Sequence, residues 1–175
     1  MNKIIFRIIY QCSKIIKYIL IFVSFMMLLG TILSLFFKDK ILKLMTQNYN
    51  LSIMEGVSFP FIIYCCISGC IIVICLVLVF DNLKKLMLNL SNENYFVEEN
   101  ANYCKKIFLF LMTLTILKLI AELIFRWLYV NNVSMIFEMS FKNYFVNIMF
   151  IILSYASYLV FKNGKSLKDD SESII

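Results

Sequence analysis

The sequence predicts an all-α integral membrane protein: a four-helix bundle preceded by an amphipathic interfacial helix. Three observations predict it. The 175-residue chain is 62% hydrophobic with a mean hydropathy of +0.85, whereas soluble domains are about 45–50% apolar. Four apolar stretches recur along it, each close to the roughly 20 residues that carry a helix across a bilayer. There is one Pro and there are four Gly, so no flexible linker is apparent and residues 1–175 read as a single membrane domain.

Residues 3–17 are too polar to span. Lys3, Arg7, Lys14 and Lys17 share one helical face, and Ile4, Ile5, Ile8, Ile9, Cys12, Ile15 and Ile16 share the other. A basic amphipathic helix of this kind lies in the membrane interface. It is expected to run straight into the first span, 18–37, which carries no charge. No small-residue cleavage site follows that run, so removal as a signal peptide is not expected.

The connection 38–58 opens with Ile41, Leu42, Leu44 and Met45, which predict a short helix on the outer membrane surface. The second span, 59–80, is also uncharged. Its Pro60 falls in the first turn, where a missing N–H is tolerated. Residues 83–90 extend this helix beyond the apolar run, and Ser91, Asn92 and Asn94 are expected to end it. The segment from Phe96 starts the next helix, with Glu98 and Glu99 complementing the positive end of its dipole. The third span is 107–130 and the fourth is 143–161. Gly164 is the expected helix stop, followed by a polar and then acidic tail.

Orientation follows from the cations. Lys3, Arg7, Lys14, Lys17, Lys84, Lys85, Lys105, Lys106, Lys162, Lys165 and Lys168 fall on one side, against Lys38, Lys40, Lys43 and Lys142 on the other. The positive-inside rule puts both termini in the cytoplasm. The net charge of +6 therefore points to anionic lipid heads rather than direct nucleic-acid binding.

Several chemistries have no footing. With no histidine, zincin motifs and histidine-based nucleophile dyads are impossible, and the commonest general base is missing. Gly30, Gly56, Gly69 and Gly164 are too scattered for a phosphate loop. Of the six cysteines, Cys65, Cys66, Cys70 and Cys75 fall in the second span, and no CxxC spacing occurs. They read as small, weakly polar packing residues rather than a metal or disulfide framework. No enzyme activity, cofactor or metal is expected.

The third span holds Lys118, Glu122 and Arg126, whose four-residue spacing places them on one stripe. Charges at that depth are costly and must face the protein, water or each other. Asn143, Asn147, Ser154 and Tyr158 form a polar stripe on the fourth span. Matching the outer ends of the two runs sets Asn147 level with Arg126, and Ser154 level with Lys118. Two readings stay open: Glu122 neutralises both cations and fixes the packing, or the stripe with Asn147 and Ser154 holds a ligand, ion or proton. A single intramembrane carboxylate speaks against a dedicated proton transporter. Weaker stripes are Ser24, Thr31 and Ser34 in the first span, and Tyr64 and Ser68 in the second. Gly30 with Ser34, and Cys65 with Gly69, are small pairs that permit close helix approach.

Two segments carry a resemblance. Phe96 precedes the pair Glu99–Asn100 shortly before the third span. The tail contains Phe161, Lys162, Gly164, Leu167, Asp169, Asp170 and Ile174. In these features and in its four-span layout the chain resembles the bacterial domain-of-unknown-function 2975 family, departing from it at Tyr95, where a proline is usual. The resemblance implies a bacterial cytoplasmic (inner) membrane protein with no known catalytic residues, and a small helix-turn-helix DNA-binding regulator as its cytoplasmic partner. It also singles out Phe96, Glu99, Asn100, Gly164, Leu167, Asp169 and Asp170 as a candidate partner site. The expected role is regulatory. The competing expectation is a small transporter or an immunity-type protein using Lys118, Glu122 and Arg126.

Overall fold

A computed structural model describes residues 2–37, 40, 59–127 and 141–173. It is all-helical: α1 (Asn2–Phe36), α2 (Phe59–Ser91), α3 (Glu98–Trp127) and α4 (Phe141–Ser173), with no strand among the described residues. All four are long and apolar enough to cross a membrane. The expected surface helix at 41–45, with the rest of 41–58 and the stretch 128–140, lies outside the described residues.

Each helix packs on the next in sequence: α1 on α2, α2 on α3, α3 on α4. α2 is the most buried of the four and α4 the least. One core cluster joins Ile72 and Cys75 of α2 to Leu114 and Ala121 of α3. A second, at the end that carries both termini, draws in all four helices through Phe6, Leu86, Leu90, Cys104, Tyr158 and Phe161. The outward faces of α1 and α4 expose Phe22, Phe25, Leu33, Phe145, Ile148 and Leu153. A continuous apolar exterior of this kind suits hydrocarbon.

α1 is one unbroken helix from the basic segment into the span. Its packed face runs through Phe6, Ser13, Lys17, Ser24, Thr31 and Ser34, while Ile4, Ile5, Ile8 and Ile15 point outward. The weak polar stripe of the first span is thus its contact face with α2. Cys66 of α2 lies within hydrogen-bonding reach of Thr31. The hydroxyls on these faces bond carbonyls of their own helices: Thr31 donates to Met27, Ser34 to Thr31, and Ser68 to Tyr64. In a medium without water, such back-bonding satisfies a hydroxyl without a partner helix. Cys70, Cys75 and Cys104 are buried and form no disulfide, as small packing residues would be.

The structure corrects two glycine expectations. Gly30 has open space where a Cβ would stand, so it mediates no close approach. Gly164 does not stop a helix; α4 continues through it to Ser173. A Cβ at 164 would collide with Cδ1 and Cε1 of the Phe96 ring. The residue is small so that this ring can lie against the helix backbone.

Ala121 is fully buried between α2 and α3. Ala121→Leu is expected to overpack that contact and cost about 1–3 kcal/mol. Unfolding in a denaturing-detergent titration checks this, and an unchanged midpoint would remove Ala121 from the core.

Candidate functional site

The terminal end is built around the turn between α2 and α3. Asn94 N–H donates to Asn89 O (3.0 Å) and Glu93 N–H to Leu90 O (3.2 Å), while Glu93 has a φ of 65°. This is a Schellman cap, with Glu93 in the left-handed position that glycine usually takes. The helix ends where Ser91 and Asn92 were expected to end it.

Asn100 then fixes the loop. It is fully buried, and its amide N–H groups donate to Asn94 O (2.7 Å) and Tyr95 O (2.8 Å). Its carbonyl oxygen accepts from Asn89 Nδ2 (2.9 Å). Both loop carbonyls are satisfied by one side chain, as burial demands. With the loop held, Phe96 lies on Gly164 of α4, and Glu98 pairs with Lys165 at 3.1 Å. Of the seven residues expected to face a partner, Phe96 and Gly164 meet each other and Asn100 is internal. Glu99, Leu167, Asp169 and Asp170 face outward. Asp169 lies 4.0 Å from Lys165, and Leu167 is 70% exposed.

The intramembrane stripe is arranged differently from expectation. Glu122 Oε2 accepts a hydrogen bond from Tyr144 Oη at 2.5 Å, so the α3–α4 link uses Tyr144. Lys118 is half-buried on the same stripe. Ser154 donates to Ile151 of its own helix at 2.9 Å. Arg126 belongs to α3 and Asn143 to α4, but their side chains lie outside the described residues. The contacts Glu122–Tyr144, Phe108–Tyr155 and Glu98–Lys165 shift α4 by about two helical turns from the register drawn from the apolar ends. Asn147 then stands level with Lys118. The cause is at the terminal end: the Phe96–Gly164 and Glu98–Lys165 contacts set the register, and the ends of the apolar run do not.

A third cluster was missed by sequence reasoning. Asp81, the first charge after the second apolar run, accepts from Lys17 of α1 at 2.7 Å and lies 2.8 Å from Lys85 and 3.4 Å from Lys84. The signal was available in the position of Lys17 at one apolar boundary and Asp81 at the other. Burial alone raises the Asp81 carboxyl, but the hydrogen bonds and charges of Lys17 and Lys85 outweigh it and hold the group well below the usual carboxylate range. Among the described residues, no group of His, Cys, Asp and Glu is placed to hold a metal ion.

Fold and site together define an all-helical chain with four candidate membrane spans and a rigid polar clasp at the end bearing both termini. The model of the family described as a protein of unknown function (DUF2975) matches residues 45–175, and the chain belongs to that family. The match includes Phe96, Asn100 and Gly164, the residues of the clasp. No curated protein and no solved structure matches the chain.

Asn100→Ala removes the partner of two loop carbonyls and of the Asn89 amide, for an expected loss of about 3 kcal/mol or more at roughly 1–3 kcal/mol per stranded group. Detergent unfolding reads it, and a loss below a few tenths would show that the loop holds itself. Asp81→Asn gives a signed pH test. A depressed carboxylate stabilises the fold while ionised, and that contribution fades as pH falls from the unfolded value towards the folded one. The variant is expected to be less stable than wild type at neutral pH, with the gap closing only below about pH 4. A gap constant between neutral pH and that point's acid side would contradict the ion cluster.

Proposed function

We propose that this chain is a non-enzymatic regulatory protein of the bacterial cytoplasmic (inner) membrane, with both termini in the cytoplasm. Its terminal face binds a small helix-turn-helix regulator and holds it at the membrane. One observation carries the reading: α4 runs on as a helix past its apolar run to Ser173, presenting exposed Leu167 beside Asp169 and Asp170. Twelve such residues reach about 18 Å beyond the span. The clasp of Phe96 on Gly164 and Glu98 with Lys165 fixes the root of this projection, so its direction is set. An apolar anchor with the acids Asp169 and Asp170 following it suits a basic protein surface, and the surface of a DNA-binding domain is basic.

The test is purification of the tagged chain from native membranes in mild detergent, with mass spectrometry of what accompanies it. A stoichiometric small DNA-binding protein is the expected result. Phe96→Ala, or deletion of 167–175, is expected to abolish its recovery while membrane insertion is unchanged. Undiminished recovery from both variants would remove the terminal face from the mechanism.

A second reading draws on Lys118, a half-buried cation one turn from Glu122 on α3. In it, the chain is a small transporter or an immunity-type protein against a membrane-active compound, working through Lys118, Glu122 and Arg126. Glu122→Gln would then abolish protection at unchanged protein abundance, whereas parallel losses of both mark the Tyr144–Glu122 bond as structural.

A further inference from the structure

The α1–α2 boundary carries more positive charge than its own acid balances. Lys17 Nζ and Lys84 Nζ lie 2.7 and 3.4 Å from Asp81 Oδ1, and Lys85 Nζ lies 2.8 Å from Oδ2. One carboxylate faces three ammonium groups, and their donors outnumber its acceptor sites. The Asp81 side chain is 18% exposed, those of Lys17 and Lys84 are 24% exposed and that of Lys85 is 47% exposed, so water screens Asp81, Lys17 and Lys84 only in part and leaves Lys85 open to a headgroup.

Depth says which anion is at hand. Lys17 immediately precedes the first apolar run and Asp81 immediately follows the second, so the cluster lies at the level of the headgroup phosphates. Lysines near that surface attract anionic lipid. Apolar surface continues from the cluster into the membrane on both helices: Ile21, one turn beyond Lys17, and Leu78, seven residues before Lys85 on the same face, are both exposed. The arrangement offers cations for a phosphate and side chains for its acyl tails.

We propose that Lys17, Lys84 and Lys85, gathered around Asp81, form a specific site for the phosphate of an anionic glycerophospholipid. The site is separate from the Phe96–Leu167 face, so failure of either proposal leaves the other standing.

The experiment uses the full chain in a mild neutral detergent, with native mass spectrometry of retained phosphatidylglycerol against phosphatidylcholine. Phosphatidylglycerol is expected to be retained in preference. Lys84→Gln with Lys85→Gln keeps the Lys17–Asp81 pair and should weaken that retention about tenfold or more, since each charge-assisted hydrogen bond to a phosphate is worth roughly tenfold, which diffuse attraction in a neutral detergent does not supply. Lys105→Gln with Lys106→Gln removes the same charge from the same end and should change it less than about twofold. The charge-preserving Lys84→Arg with Lys85→Arg should keep it. Equal losses in the two glutamine variants would reduce the site to diffuse attraction and overturn the proposal. So would equal retention of the two lipids by the unaltered protein, a reading that needs no variant to fold. Full displacement by inorganic phosphate would mark a site for free anions rather than lipid and overturn it as well.

Discussion

The arrangement of this molecule depends on the side-chain amide of Asn100. A tight turn between two long helices leaves backbone carbonyls with no partner in either helix. Asn100 satisfies two of them and accepts from Asn89 on the preceding helix. The turn becomes a fixed piece, and what flanks it becomes a fixed surface. Phe96 can then press on Gly164, and Glu98 can reach Lys165. The position of α4 is inherited from a loop it does not belong to.

The polar content of the spans is organised by the same accounting. Hydroxyls at Thr31, Ser34, Ser68, Ser154 and Ser157 bond carbonyls of their own helices. Each can therefore occupy a helix–helix contact without demanding a partner. Stripes of Ser and Thr mark the packed faces of these helices because such residues are small and self-satisfying. The carboxylate of Glu122 has no such recourse, and it takes a hydrogen bond across the interface from Tyr144.

Much of this was legible in the residues. Helix number, the extension of α2 to Ser91, the break after it and the acidic start of α3 follow from apolar run length, turn formers and dipole logic. The packed face of α1 was visible as Ser24, Thr31 and Ser34, and the small buried cysteines as packing residues. The misjudged register of α4 has one cause. Apolar length reports where lipid is, and says nothing of how two antiparallel helices are shifted along each other. The pairing of Lys118 with Ser154 was drawn from the ends of the runs, while the register is set by Phe96 and Lys165 beyond those ends. Gly164 was misjudged for a related reason. A glycine at the edge of an apolar run resembles a stop, and only the ring seated on it reveals a contact. The partner residues split likewise: the pattern that marks Asn100 is the same whether the amide faces outward or inward.

Packing follows the order of the chain: α1 on α2, α2 on α3, α3 on α4. Biosynthesis releases the helices in that same order. Each new helix therefore meets its principal neighbour already made, and longer-range contacts such as Lys3 with Glu93 and Phe6 with the terminal cluster close afterwards. Low sequence separation between partners favours rapid assembly. The first helix is the exception in one respect. Lys17 is made well before Asp81, so the 2.7 Å pair that ties α1 to α2 closes once the second helix has followed.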